Sequence, residues 1–204
     1  MTAAELRARL TAIAAEPTLG EVVHGSDVLV TLDRAPVPAA VLVPVVLGST
    51  PGILLTKRNA HLNQHAGQVS FPGGRIDAGE NAEAAALREA EEEIALDSAQ
   101  VEVLGRMADY MTGTGYRITP VLGLLPPGLA FRPAPDEVDA VFELPIEVLL
   151  DPDAPKLQRH HVRGVWREYW VWPHPDHYIW GATAAILKHL AEKLREVAPH
   201  AAAG

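Results

Sequence analysis

The chain has no cysteine, so disulfide staples and thiolate chemistry are excluded, and a reducing compartment suits it. It is also short of cations: 17 lysines and arginines stand against 26 aspartates and glutamates, for a net charge of −9. A broad phosphate-neutralising surface needs the opposite balance, so nucleic acid is not an expected partner. A phosphate-bearing ligand would then need local help, from a few Arg or Lys side chains or from a metal. No apolar run approaches the roughly 18–20 residues of a membrane span, so no membrane partner is expected either. The stretch from Thr2 to Glu16 carries Glu5, Arg7, Arg9 and Glu16. It reads as an amphipathic helix, because a targeting peptide normally lacks acids and shows a cleavage pattern. We expect a cytoplasmic protein.

At 204 residues the chain is a little longer than one typical domain. The expected division is an N-terminal helix and linker over 1–35, a main domain over 36–197, and a frayed Ala-rich tail over 198–204. Pro36 and Pro38 mark a linker or turn. Ala39–Leu47 and Ile53–Thr56 are apolar runs bounded by Gly and Pro and read as strands. Further strands are expected at Val101–Met107, Arg117–Leu125, Ala140–Leu144 and Val165–Trp172. Asn81 is a plausible N-cap for a helix running to about Ile94, and Gly181–Val197 has helical spacing. Strands, a helix, more strands and a last helix suggest an α/β fold, a mixed sheet covered on both faces.

The segment Arg88-Glu89-Ala90-Glu91-Glu92-Glu93-Ile94 carries the most chemistry. On a helix, Ala86, Leu87, Ala90 and Ile94 share one arc of about 100°, a credible core stripe. Glu89, Glu92 and Glu93 share the adjacent arc. Charge runs are usually solvated faces, but two costs weigh against that here. Glu89 stands at i,i+3 and i,i+4 from the other two, which costs roughly 0.2–0.5 kcal/mol per like-charged pair. Glu92 and Glu93 also lie in the last turn, where the helix dipole disfavours anions. A hard divalent cation would turn that repulsion into ligation. From the helix alone the two readings stand level. Gly73 and Gly74 just upstream tilt the balance, since their backbone could turn a carbonyl toward the same cation. Glu80 and Arg88, at the two ends of the segment, could pair and tie loop to helix.

From Gly74 these residues resemble the Nudix box, G-x5-E-x7-R-E-U-x-E-E-x-G-U with U apolar. Gly74, Glu80, Arg88, Glu89, Glu92, Glu93 and Leu96 match, and Ala90 fills the first apolar place. Ala95 departs from the family's Gly, which helps end the helix, so Ala there should cost stability or shift the loop. The resemblance implies the Nudix fold, an α/β/α sandwich with a mixed sheet, and a Mg²⁺- or Mn²⁺-dependent hydrolase of nucleoside diphosphates linked to another group. Carried over, Glu89 and Glu93 are the main metal ligands, the Gly74 carbonyl the backbone ligand, and Glu92 a catalytic group close by that acts through water. Glu80 and Arg88 are structural. The general base varies within the family; Glu137, in the loop Ala134-Pro135-Asp136-Glu137, is the candidate, with a solvated loop acid as the plain alternative.

Leu54-Leu55-Thr56-Lys57-Arg58, Gly67, Phe71-Pro72-Gly73-Gly74 and Asp77 further resemble the coenzyme A diphosphatases. Thr119-Pro120 and Ile179–Thr183 look like later stretches of that group, so the likeness spans about residues 40 to 190. It implies Arg58, Thr56 and Gly73 as substrate-binding residues and a small-molecule substrate, coenzyme A. Similar proteins are often homodimers. Two residues depart: Asn59 stands where Ser or Ala is usual, and Asn63 replaces an Arg. If that Arg grips phosphate, its loss removes a bond of about 1.5–3 kcal/mol, for which His61 and His65 could compensate. Rival readings are a Nudix hydrolase of ADP-ribose, nucleotide sugars or dinucleotides, and a non-hydrolysing nucleotide-binding regulator. Trp166, Tyr169, Trp170 and Trp172 share one strand and suit a core or dimer interface better than adenine stacking. His160-His161 with His174 and His177 hint at a transition-metal site only if the pairs meet. Ser70 has no evident His–Asp partner, which rejects a serine hydrolase.

Overall fold

Two long, largely apolar runs organise the molecule, their Val, Ile and Thr residues favouring the pleated, half-buried surface of a strand. The structure is a computed structural model and describes residues 1–17, 21–24, 35–61, 66–162 and 165–197. In chain order its elements are α1 (Ala3–Ala14), β1 (Val22–His24), β2 (Val37–Val46), β3 (Gly52–Arg58), β4 (Val69–Ser70), β5 (Gly73–Arg75), α2 (Ala82–Ile94) and β6 (Glu102–Arg106). There follow β7 (Asp109–Met111), β8 (Tyr116–Leu125), β9 (Val138–Pro145), α3 (Ile146–Leu150), β10 (Lys156–Val162), β11 (Val165–Trp172), β12 (Ile179–Trp180) and α4 (Gly181–Glu196).

The long strands β2 and β8 run parallel, in register from Val37↔Tyr116 to Val46↔Leu125. Antiparallel β5 and β3 flank β2, and β4 and β9 pair with β3. On the far side β6 and β7 pair antiparallel with β8, and β1 lies parallel to β7. The sheet is therefore mixed. Strands β10, β11 and β12 form a separate antiparallel sheet.

Both long strands contain proline, which a central strand normally excludes because the ladder loses a donor. Pro44 and Pro120 each sit where two short strands meet on the flank. Leu42 N–H donates to the Pro72 carbonyl, so Pro44, two residues on, faces the same flank. There β5 has ended and β3 begins only at Val45↔Ile53. Pro120 turns its carbonyl to Met107 N–H, in the gap between β6 and β7. Neither missing N–H has a strand opposite it. Pro38, at a place where composition predicts a linker or turn, likewise lies inside β2 and accepts from Ile76 N–H.

Alternate residues of β2 serve two cores. Ala40, Leu42 and Val46 pack with Ala82, Ala85, Ala86, Ala90 and Ile94 of α2. Val43 and Val45 pack on the other face with Leu6, Leu10 and Ile13 of α1, with α3, and with Leu187, Leu190 and Leu194 of α4. This is the α/β/α arrangement expected above. Helix α1 belongs to the core: Thr2 and Glu5 close a capping box at its start, and its apolar stripe is buried against α4 and the sheet. The aromatic strand β11 divides along its length, exposed near its start and buried at its end. Trp172 is buried and donates from Nε1 to the Ala184 carbonyl at 3.0 Å, whereas Trp166 is 67% exposed.

Candidate active site

Helix α2 starts where Asn81 Oδ1 accepts from Ala84 N–H at 2.8 Å, satisfying one of the unpaired donors of the first turn. It stops at Ala95, whose φ of 54° and ψ of 36° lie in the left-handed region. The helix thus ends as it would with glycine, and the Cβ bears strain of roughly 1–2 kcal/mol. Ala95 is the one positive-φ residue other than glycine among the described residues.

Arg88 binds the acidic cluster together. Its Nε and Nη2 reach the two carboxylate oxygens of Glu80 at 3.1 and 3.2 Å. Nη1 donates to Glu89 at 2.9 Å and to Glu92 at 3.1 Å, and Nη2 also reaches the Arg75 carbonyl. These bonds, first with Glu80 and then with Glu89, hold the guanidinium above its ordinary pKa, and the Glu80 carboxyl is held low by Arg88 and by Asp77 N–H. The like-charge repulsion legible in the sequence is thereby offset at Glu89 and Glu92. Glu92 stays largely in solvent, its side chain 59% exposed.

Glu93 differs. It is 2% exposed on the sheet-facing side of the helix. One carboxylate oxygen accepts from Gly73 N–H at 3.3 Å, and the other lies 3.5 Å from Arg58 Nη1. Burial pushes its pKa up to about 8 against the pull of Arg58 and Gly73, with Glu89 and Glu137 adding to the rise. Arg58 is aimed here by a register shift between Lys57 and Arg58 at the end of β3. Its Nε is buried and makes no hydrogen bond among the described residues.

Glycine at 73 is a steric requirement of the backbone, and glycine at 74 leaves room for the Glu89 carboxylate. A Cβ at Gly73 would collide with the Ala40 carbonyl and Val41, and one at Gly74 would occupy the place of the Glu89 carboxylate. Small backbone here lets α2 lay its acids directly against β5.

The loop before β9 closes the fourth side. Arg132 N–H donates to the Ile94 carbonyl at 2.9 Å and Ala134 N–H to the Glu93 carbonyl at 2.8 Å, so the open end of α2 is capped by this loop. Glu137 is exposed, and its charge is felt by Glu93. Glu89, Glu93, Arg58, Gly73, Gly74 and Glu137 are thus brought together.

Other expected residues lie elsewhere. Thr56 is fully buried, and its hydroxyl sits at 3.2 Å from the Ser70 carbonyl and 3.1 Å from Ser70 Oγ. It ties β3 to β4 and has no surface to offer a substrate, which corrects the expectation for it. Asn63 and His65 fall outside the described residues. His174 and His177 pack on Phe142, while His161 packs on Trp166. A cavity of about 810 Å³ lies away from the acidic helix, between α4, β7 and the β10–β12 sheet, walled by Tyr169, Trp170, Tyr178 and Trp180. None of the clustered acids lines it.

The donor set suits a hard cation. Among the described residues no three His, Asp or Glu side chains gather into a ready cluster. Glu89 and Glu93, one helical turn apart, with a glycine backbone against each, match the sparser kind of set Mg²⁺ takes when water and phosphate complete its shell.

The family model of the NUDIX domain matches residues 36–177, more than half of the chain. The "uncharacterized Nudix hydrolase NudL" of Escherichia coli (strain K12 / DH10B) is 45% identical over 159 residues, covering 75% of this chain and 80% of its own length. The protein of the same description from Shigella boydii serotype 4 matches to the same extent. Among solved structures, the Nudix hydrolase RenU from M. smegmatis gives a TM-score of 0.52 at 21% identity, over 81% of this chain and 89% of that one. DR0079 from Deinococcus radiodurans gives 0.51 at 15% identity, over 79% and 88%. At such identities the structural likeness speaks for the fold alone.

Proposed function

The chain belongs to the Nudix hydrolase family, enzymes that act on pyrophosphate bonds, and on that premise we propose that it hydrolyses the diphosphate of coenzyme A or its derivatives. The products are 4′-phosphopantetheine and adenosine 3′,5′-bisphosphate. The substrate reading rests on the stretch Leu54–Arg58, Gly67 and Phe71–Gly74, which resembles the coenzyme A diphosphatases. The observation that carries the reaction is the convergence on one buried carboxylate: Arg58 from β3, Gly73 N–H from β5 and the charge of Glu137 all meet Glu93.

Glu89 and Glu93, with the Gly74 carbonyl, would hold Mg²⁺ or Mn²⁺, with Glu92 acting through water; a divalent ion so held neutralises diphosphate and acidifies bound water. Arg58 offers its remaining N–H groups to a phosphate oxygen, a charge-assisted bond worth about 1.5–3 kcal/mol. Glu137, exposed beside Glu93, takes the proton from the attacking water. The new P–O bond forms at one phosphorus while the other phosphate departs with the bridging oxygen. Arg88 and Glu80 keep loop and helix in register. A cytoplasmic location and a homodimer are part of the same reading, the homodimer supported by Leu157, Trp166 and Trp180, exposed on the small sheet, and Tyr178 beside it.

Turnover of coenzyme A should be measured beside ADP-ribose, NADH and a diadenosine polyphosphate, with each metal. We expect kcat/KM for coenzyme A to lead by at least about tenfold, a difference of some 1.4 kcal/mol. A lead for another diphosphate sinks the coenzyme A assignment and leaves the hydrolase standing. No turnover from folded protein, with nucleotide still bound, points instead to a regulator.

A further inference from the structure

We infer that Asn59 is a positioning residue, holding the loop that carries Glu137 in place against the end of β3; the inference rests on the hydrolase reading above. Asn59 follows the register shift that aims Arg58 and uses three of its polar groups at once. Its backbone N–H donates to the Glu137 carbonyl at 2.8 Å. Its side-chain Nδ2 donates to the Pro135 carbonyl at 2.8 Å. Its Oδ1 accepts from His61 N–H at 3.1 Å. The backbone bond is open to any residue except proline, but the two side-chain bonds need a donor and an acceptor on one short stem, which is asparagine's particular equipment.

The loop needs that hold. Its other anchors are Arg132 and Ala134 on the end of α2 and, beyond it, the pairing of Val138 with Arg58 where β9 begins; Pro135, Asp136 and Glu137 lie between them. Within it, Ala134 accepts from both Glu137 and Val138 N–H, so residues 134–138 turn as a unit. Gripping Pro135 and Glu137 from the same residue sets the tilt of that unit, and with it the direction of the Glu137 side chain. Among the described residues Asn59 makes no hydrogen bond to the acids of α2, so its effect passes through Glu137. Sequence reasoning shows Asn59 only as a departure from Ser or Ala, with no signal of what it binds.

A double-mutant cycle tests the route. Asn59→Ala should lower kcat about 3- to 10-fold, the worth of one hydrogen bond, with KM within about twofold. In a Glu137→Gln background the same change should cost under about twofold, because the two act as one unit. Equal losses in both backgrounds would overturn the inference. Amide exchange supplies a readout independent of turnover: residues 131–138 should exchange about tenfold faster in Asn59→Ala, with the first turns of α2 unchanged. Asn59→Asp keeps the His61 acceptor but cannot donate to Pro135, so its loop should exchange like that of the alanine variant. Wild-type protection in either variant overturns the inference. If the wild type turns over no diphosphate, the hydrolase reading fails, and exchange still decides whether Asn59 holds the loop.

Discussion

Helices α2 and α4 cover opposite faces of one sheet and are made of different stuff. Helix α2 buries Ala82, Ala85, Ala86 and Ala90 with a single large side chain, Ile94, and it buries a carboxylate beside them. Helix α4 buries Ile186, Leu187, Leu190 and Leu194 with smaller residues between. Small side chains permit close approach of a helix to its support, which puts Glu93 on the Gly73 amide and Glu89 over Gly74. Large ones fill volume and remove apolar area from water at about 25 cal/mol per Å². One face therefore accepts a thin, strained and charged contact because the other supplies cohesion. Stability and chemistry are divided between layers of the same fold.

The sharpest test of that division pairs one change on each face. Glu89→Gln should lower kcat by more than about a hundredfold, since even indirect disturbance of metal ligands commonly costs 10- to 100-fold, with the melting temperature nearly unmoved. Leu187→Ala should do the reverse: a loss of about 2–5 kcal/mol of stability, and an unchanged kcat per folded molecule well below the melting point. A kcat loss in the leucine variant would erase the distinction between the faces.

A second test uses pH. Glu93 ionises near 4.5 in an unfolded chain and near 8 in the fold, so the folded state holds its proton more tightly. Its contribution to stability is present below pH 4.5 and is lost as pH rises toward 8. In EDTA, Glu93→Gln should therefore melt higher than wild type at pH 8, and the two should converge below about pH 4.5. A variant that melts lower at pH 8 would mean that the buried charge is welcome even without a cation.

The smallest effect expected is at Ala95. Glycine there relieves strain of roughly 1–2 kcal/mol but loosens the unfolded chain by about 0.4–1 kcal/mol. Urea unfolding of Ala95→Gly should show a net gain of about 0.5–1 kcal/mol, and a net loss would argue against strain at this residue.

Helix α2 was legible because its cap, its alanine stripe and its acidic arc occupy separate arcs of one helix. β2 and β8 were legible as apolar runs, with ends shifted by one or two residues. Strand β10 was not: Lys-Leu-Gln-Arg-His-His-Val has no apolar alternation, and its strand character comes from pairing with β11. β1, β7 and β12, at two or three residues each, are too short for any period to register. The acidic face looked mutually repulsive because its relief is spatial, with Arg88 bridging Glu80, Glu89 and Glu92 while Glu93 turns inward. Thr56 was misplaced for a related reason: its motif records a strand-to-strand bond as readily as a ligand contact. The anchors of the Glu137 loop on the end of α2 join main-chain groups some forty residues apart, and main-chain groups leave no mark on residue type.

The prolines of the two long strands carry a consequence for how such a molecule changes over generations. Because Pro44 leaves a joint between β3 and β5, each of those strands sets its own register on a different half of β2. Between Asn59, which holds the Glu137 loop, and β4, the chain can lengthen, shorten or be rewritten without dragging the glycine backbone away from the acids of α2. Substrate range can drift through that connection while the hydrolytic apparatus is inherited intact, and one scaffold can give rise to many specificities.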